Sequence, residues 1–199
     1  MELAGNTAQD LGAGVLHALR LKGRATEAAL AAALGVSTSD IEEVLRQGQQ
    51  DGWYTQRTGR LAGWLLTPAG QQRWADQHAA ERSAADVDRL MAGYDTDFLA
   101  LNRAFKQLCT SWQLVGDREA TATALACVHR AIGDQLAEFS ALVPRFAGYR
   151  PRFEAALRRF VDGENNALLQ PLTDSYHDIW LELHEDLLVL LEKQRDADD

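Results

Sequence analysis

Thr38, Ser39, Arg46, Gln47 and Gln50, preceded by the candidate cap Ser37, lie off the apolar stripe formed by Ile41, Val44 and Leu45 in one helical stretch. Side chains of these types donate to and accept from base edges and phosphates. Arg57 and Arg60 flank Thr58 and Gly59 a little further on. Two guanidinium groups on such a turn suit phosphates or a narrow minor groove. The chemistry these residues offer is recognition of double-stranded DNA. Asp40, Glu42 and Glu43 stand in the same stretch and oppose it. A carboxylate at best accepts from cytosine N4, and phosphates repel it. Asp40 and Glu43 also have a local use, because acids stabilise a helix's first turn.

A second set lies in the other half. Tyr94, Phe98, Phe105, Trp112, Tyr176 and Trp180 are aromatic, with Asn102, His177 and His184 among them. A cavity lined by rings with a few convergent polar groups is how small-molecule sites are built. Asn102, Trp112, Tyr176, His177, Trp180 and His184 are therefore the candidate ligand residues. The alternative is that a helical domain needs this much aromatic core. His177 and His184 share one helix face but stand roughly 10 Å apart at 1.5 Å per residue, too far for one metal ion. Asp178, Glu182 and Glu185 fall on an adjacent face, expected to be solvated.

Catalysis finds little support. There is no Gly-x-Ser-x-Gly, no phosphate loop and no dinucleotide fingerprint. Ser175 and His177 are two apart and do not face each other on a helix. The expectation is a non-enzyme without a cofactor.

Local signals place these residues on elements. Leu11, Val15, Leu16 and Leu19 mark a helix over residues 8–21. Thr26 caps a second, Gly35 closes it, and Ser37 caps a third. Gly48 falls on that third helix's inward face, which predicts a weaker helix packed close to a neighbour. Residues 53–57 and 63–66 read as strands, and Thr67 with Pro68 starts a helix that could run toward Met91, with Gly93 as its end. Four further helices are expected, around Phe98–Trp112, Leu125–Phe139, Phe153–Phe160 and Tyr176–Leu190. Pro144 and a turn from Gly148 to Pro151 interrupt them. Residues 195–199 form an acidic tail expected to fray.

The 199 residues suffice for one large or two small domains. The net charge is −9. Residues 1–80 hold seven Lys/Arg and eight Asp/Glu, and residues 81–199 hold 13 and 21, so the acidity sits in the second half. That half is unsuited to phosphate backbones, and the nearly neutral first half predicts modest non-specific DNA affinity. Cys109 and Cys127 sit in apolar helical patterns and are expected to be buried, reduced thiols. With no basic leader and no apolar run of membrane-spanning length, a cytoplasmic location with no membrane partner is expected.

Leu34, Gly35, Val36 and Ser37, followed by Gly52, Trp53 and Tyr54 and then by Leu66, Thr67, Pro68, Ala69 and Gly70, resemble winged-helix bacterial regulators of the MarR-like kind over roughly the first 80 residues. The resemblance implies a recognition helix starting at Ser37 and a basic wing at Arg57 and Arg60. Asp40, Glu42, Glu43 and Gly48 depart from that pattern. The second half does not look like the dimerisation helices of typical MarR proteins. Residues 175–187, 98–103 and 109–113 are similar to regions attached to actinobacterial pyruvate phosphate dikinase-like proteins, which implies a module also used outside transcription.

The fold class expected is mainly α: an N-terminal winged helix-turn-helix with a two-stranded wing over residues 1–80, a linker helix over 81–93, and a C-terminal helical bundle over 94–199. The function expected is a DNA-binding transcriptional regulator whose bundle senses a small-molecule effector or a partner. A homodimer is expected, since one recognition helix reads too few base pairs, with the linker helix and the final helix as its surfaces. The alternative is a winged-helix interaction module that does not bind DNA and regulates a partner enzyme.

Overall fold

A computed structural model describes residues 8–194. It is mostly helical with one two-stranded antiparallel sheet. The chain divides into two compact units, Met1–Ser83 and Ala84–Asp199. The acidic tail expected to fray, residues 195–199, lies outside the described residues.

In the first unit, α1 (Ala8–Lys22) turns Val15, Leu16 and Leu19 inward, and α2 (Glu27–Leu34) contributes Leu30 and Ala31. The Thr26 hydroxyl accepts from the Ala29 N–H at 3.2 Å and starts α2. Gly35 ends it in the left-handed region, φ 67°, where a Cβ would be strained. Its N–H and that of Val36 both return to the Ala31 carbonyl. Ser37 then caps α3 (Thr38–Gln50), with Ser37 and Asp40 each accepting from the other's backbone N–H. These caps satisfy the orphan donors that would otherwise fray a helix this short.

Ile41 and Leu45 are fully buried on α3, and Gly48 lies beside them. A Cβ on Gly48 would stand 2.2 Å from the Tyr54 ring. The expected close neighbour is thus Tyr54, whose hydroxyl donates to the Gly12 carbonyl at 3.3 Å. β1 (Tyr54–Arg57) pairs with β2 (Gly63–Leu66), Tyr54 opposite Leu66 and Arg57 opposite Gly63. Ala25 bridges to Trp64 by two backbone bonds, 3.2 and 2.8 Å, and fastens the hairpin to the α1–α2 connection. Thr67 caps α4 (Pro68–Ala84), its hydroxyl accepting from Gly70 and donating to the Gly52 carbonyl.

The single helix expected to run on toward Met91 is broken. α4 stops at Ala84, and the Asp86 carboxylate accepts from the Arg89 N–H at 3.1 Å to start α5 (Val87–Gly93). A side chain that competes for backbone donors favours a cap over a helix interior. The linker helix expected over 81–93 is therefore two pieces, and Leu90 of the second is fully buried in the C-terminal core. Gly93 is the last residue of α5 but does not interrupt the helical path. Its backbone is helical, and the chain continues through one wider turn, where Leu99 N–H returns to Tyr94, into α6 (Leu99–Val115). A Cβ on Gly93 would sit 3.0 Å from the Phe139 ring, and Gln135 donates to its carbonyl at 3.0 Å. Close helix approach, not termination, is what this glycine allows.

Asp117 caps α7 (Arg118–Leu142), which Val143 closes. A tight turn at Pro144–Gly148 leads into α8 (Tyr149–Val161). The turn expected from Gly148 to Pro151 is instead the start of α8, because a first-turn proline lacks only an N–H with no helical acceptor. A short α9 (Asn166–Leu169) precedes α10 (Tyr176–Leu191). α10 packs on α5, α8 and α9 and buries Ile179, Trp180, Leu183, Leu187, Leu190 and Leu191. The final helix is thus the centre of its own unit, which corrects its expected place on a dimer surface.

Candidate functional site

All eight residues expected to meet DNA are exposed: Ser37, Thr38, Ser39, Arg46, Gln47 and Gln50 on α3 and its cap, and Arg57 and Arg60 on the hairpin. Their side chains are not equally free. The Ser37 hydroxyl is held by the cap and lies 2.8 Å from that of Ser39. Arg46 donates to both carboxylate oxygens of Glu43, at 2.5 and 3.0 Å. This pair holds the Glu43 carboxyl below the usual carboxylate range. Gln47 lies 3.4 Å from the Asp51 carboxylate. By contrast, neither Arg57 nor Arg60 pairs with an acid among the described residues.

The hairpin tip is shaped by Gly59, φ 89°, whose carbonyl accepts from the Ala62 N–H at 3.1 Å. Arg24 braces it by donating to the Leu61 carbonyl at 3.1 Å. Just below the tip the hairpin is tied to α2, where the Trp64 indole N–H donates to Glu27 at 2.7 Å. Arg24 and Glu27 escaped the sequence reading because their partners lie far along the chain, across the hairpin.

Of the six residues expected to line a ligand pocket, Asn102, Tyr176, Trp180 and His184 are buried, and Trp112 and His177 are half-buried. Trp180 stacks on Phe105 with ring centroids 4.4 Å apart and on Phe98 at 5.7 Å. Its indole N–H donates to the buried Asn102 at 2.9 Å. His184 is only 2% exposed and lies 2.9 Å from the Tyr94 hydroxyl. Tyr176 is fully buried against Phe105 and Phe153. Trp112 sets its edge on Phe160, and the half-buried His177 lies beside Phe105. Rings and polar groups satisfy one another and fill the space assigned to a ligand. Asn102, Tyr176, Trp180 and His184 serve as core packing, as the alternative reading expects, with Trp112 and His177 at its edge.

The acidic side of α10 also differs from expectation. Glu182 accepts from Arg152 at 2.8 and 2.9 Å, and Arg152 reaches Asp174 at 2.6 Å. Asp186, 1% exposed, accepts from Arg145 and, at 2.8 Å, from the Tyr149 hydroxyl. Glu182 keeps only 11% of its side chain exposed and is paired, not solvated. Buried carboxylates require such partners. Cys109 is buried as expected, and burial pushes its thiol up to about 12. Cys127 is exposed on α7, a correction that follows from its place opposite Leu125 and Val128 on the helix.

A cleft of about 320 Å³ does open in the second unit, along α7 and α8, and none of the six expected ligand residues lines it. Among the described residues, no helix is long and apolar enough to cross a membrane. Compared with family models, with curated proteins and with solved structures, the chain matches none.

Proposed function

We propose that the first unit is a winged helix-turn-helix that binds double-stranded DNA, and that the protein is a transcriptional regulator whose C-terminal helical unit senses an effector or a partner. The observation that carries this reading is the hairpin tip. Arg57 and Arg60 are exposed there without acid partners among the described residues, on the same unit as an α3 whose Thr38, Ser39, Gln47 and Gln50 are also exposed. Unpaired arginines on a rigid hairpin are what a phosphate backbone or minor groove accepts. The two-residue tether of Gly35 and Val36 between α2 and Ser37, closed on Ala31, gives α3 a fixed direction. A cytoplasmic homodimer is the form in which such a unit would read two half-sites.

A second reading has its own support. α3 carries Asp40, Glu42 and Glu43 against the single cation Arg46, which Glu43 already holds. An acidic exposed helix of this kind also suits docking on a protein, with the second unit regulating a partner enzyme. Mobility shift against duplex fragments of the source genome separates the two. The regulator reading predicts a retained, sequence-selective subset that is competed by its own unlabelled duplex. Absence of any retention at low salt supports the docking module.

A further inference from the structure

Gly133 sits in the middle of α7, where glycine is a poor helix former. A Cβ built there would meet nothing within 4 Å. Unlike Gly48 or Gly93, this glycine is not required by a close neighbour. What its missing side chain does is widen the cleft between α7 and α8, whose volume of about 320 Å³ falls at the small end of ligand sites.

The floor of that cleft is apolar, with Ile132 and Phe153. Its rim carries His129, Arg130 and Arg150. Tyr176 is fully buried, so its phenol stays protonated. Its hydroxyl lies 3.3 Å from His129 Nδ1 and has no other partner among the described residues. The hydrogen-bond network therefore has Tyr176 donating to Nδ1, which leaves the imidazole proton on Nε2. Arg130 forms no ion pair with a described residue. Arg150 is held only by an exposed pair with Glu154, at 3.2 Å, which water weakens. Asp134 stands on the same rim and disfavours a ligand with two negative charges.

We propose that this cleft binds a small monocarboxylate bearing an apolar group, with the carboxylate on Arg130, Arg150 and His129 Nε2–H and the apolar group on Ile132 and Phe153. The site stands apart from the DNA reading, because it needs only the second unit.

Octanoate is a suitable probe, with octanol and octylamine as its uncharged and cationic counterparts. Calorimetric titration of the full chain is expected to show octanoate binding about tenfold or more tighter than either, the step expected for charge-assisted hydrogen bonds. Arg130→Gln with Arg150→Gln should erase that preference. Gly133→Leu starts its side chain in open space at the cleft and adds helix propensity, so it should abolish binding while the melting temperature holds or rises. Equal binding of octanol and octanoate, or full binding by Gly133→Leu, overturns the proposal. Neither result bears on retention of the protein by duplex DNA, which is measured without the probe.

Discussion

Glu43 and Arg46 close on each other across one turn of α3, the guanidinium donating to both carboxylate oxygens at 2.5 and 3.0 Å. Both side chains are exposed, 65% and 55%. Water screens an exposed pair of this kind, so it contributes little to stability. Its consequence lies at the surface, where it occupies the one cation of α3. Glu43→Gln removes a charge that repels phosphate and releases Arg46. The variant should bind duplex DNA more tightly, and the slope of log affinity against log salt should steepen by about 1. Its denaturant midpoint should match the parent's, since the pair is exposed. An unchanged slope would exclude Arg46 from the contact.

Trp180 and Asn102 test whether the aromatic set is core. The indole is 2% exposed and its N–H is satisfied by Asn102 at 2.9 Å. Trp180→Ala should lower unfolding free energy by about 3–5 kcal/mol through the lost burial and the cavity left. Asn102→Ala leaves a buried donor unpaired and should lower it by about 1–3 kcal/mol. Denaturant titration reads both. Full stability in either variant would return these residues to a binding role.

Burial holds the His129 and His177 imidazoles below their ordinary value of 6.5, with Glu154 and Asp178 respectively opposing the shift. Each is therefore charged less readily in the folded chain than in the unfolded one. The unfolded state takes up more protons as pH falls below 6.5, so the stability these groups contribute is present above that value and declines below it. Melting temperature should drop between about pH 7 and pH 5. His129→Gln with His177→Gln should make that drop shallower. An equal drop in the double variant would assign the pH dependence to other groups.

Local chemistry made the first unit readable. Thr26, Gly35, Ser37 and Thr67 each act within a few residues of themselves, and the structure places a helix boundary at every one. Glycines were harder, because a terminator and a site of close approach look alike in one dimension. Gly48 was interpretable since it interrupts an apolar stripe. Gly93 was not, as the Phe139 ring that needs the room comes from another helix. The charged layer in the second unit was hidden for the same reason. Glu182 and Asp186 stand one turn apart on α10, and their partners Arg152 and Arg145 stand seven residues apart on and just before α8. The two spacings differ, and nothing in sequence assigns the two stretches to each other. Aromatic composition could not separate core from pocket, whereas Gly133, unexplained by packing, marks where space remains.

The account stands on the hairpin tip meeting nucleic acid. Affinity of the chain for a retained duplex, measured across a range of salt concentrations, is the deciding quantity for Arg57→Ala with Arg60→Ala. Loss of two phosphate contacts should weaken binding and flatten the log–log salt slope by about 1.8. The same affinity and slope in parent and double variant would contradict a DNA-binding wing and leave the protein-docking reading in its place.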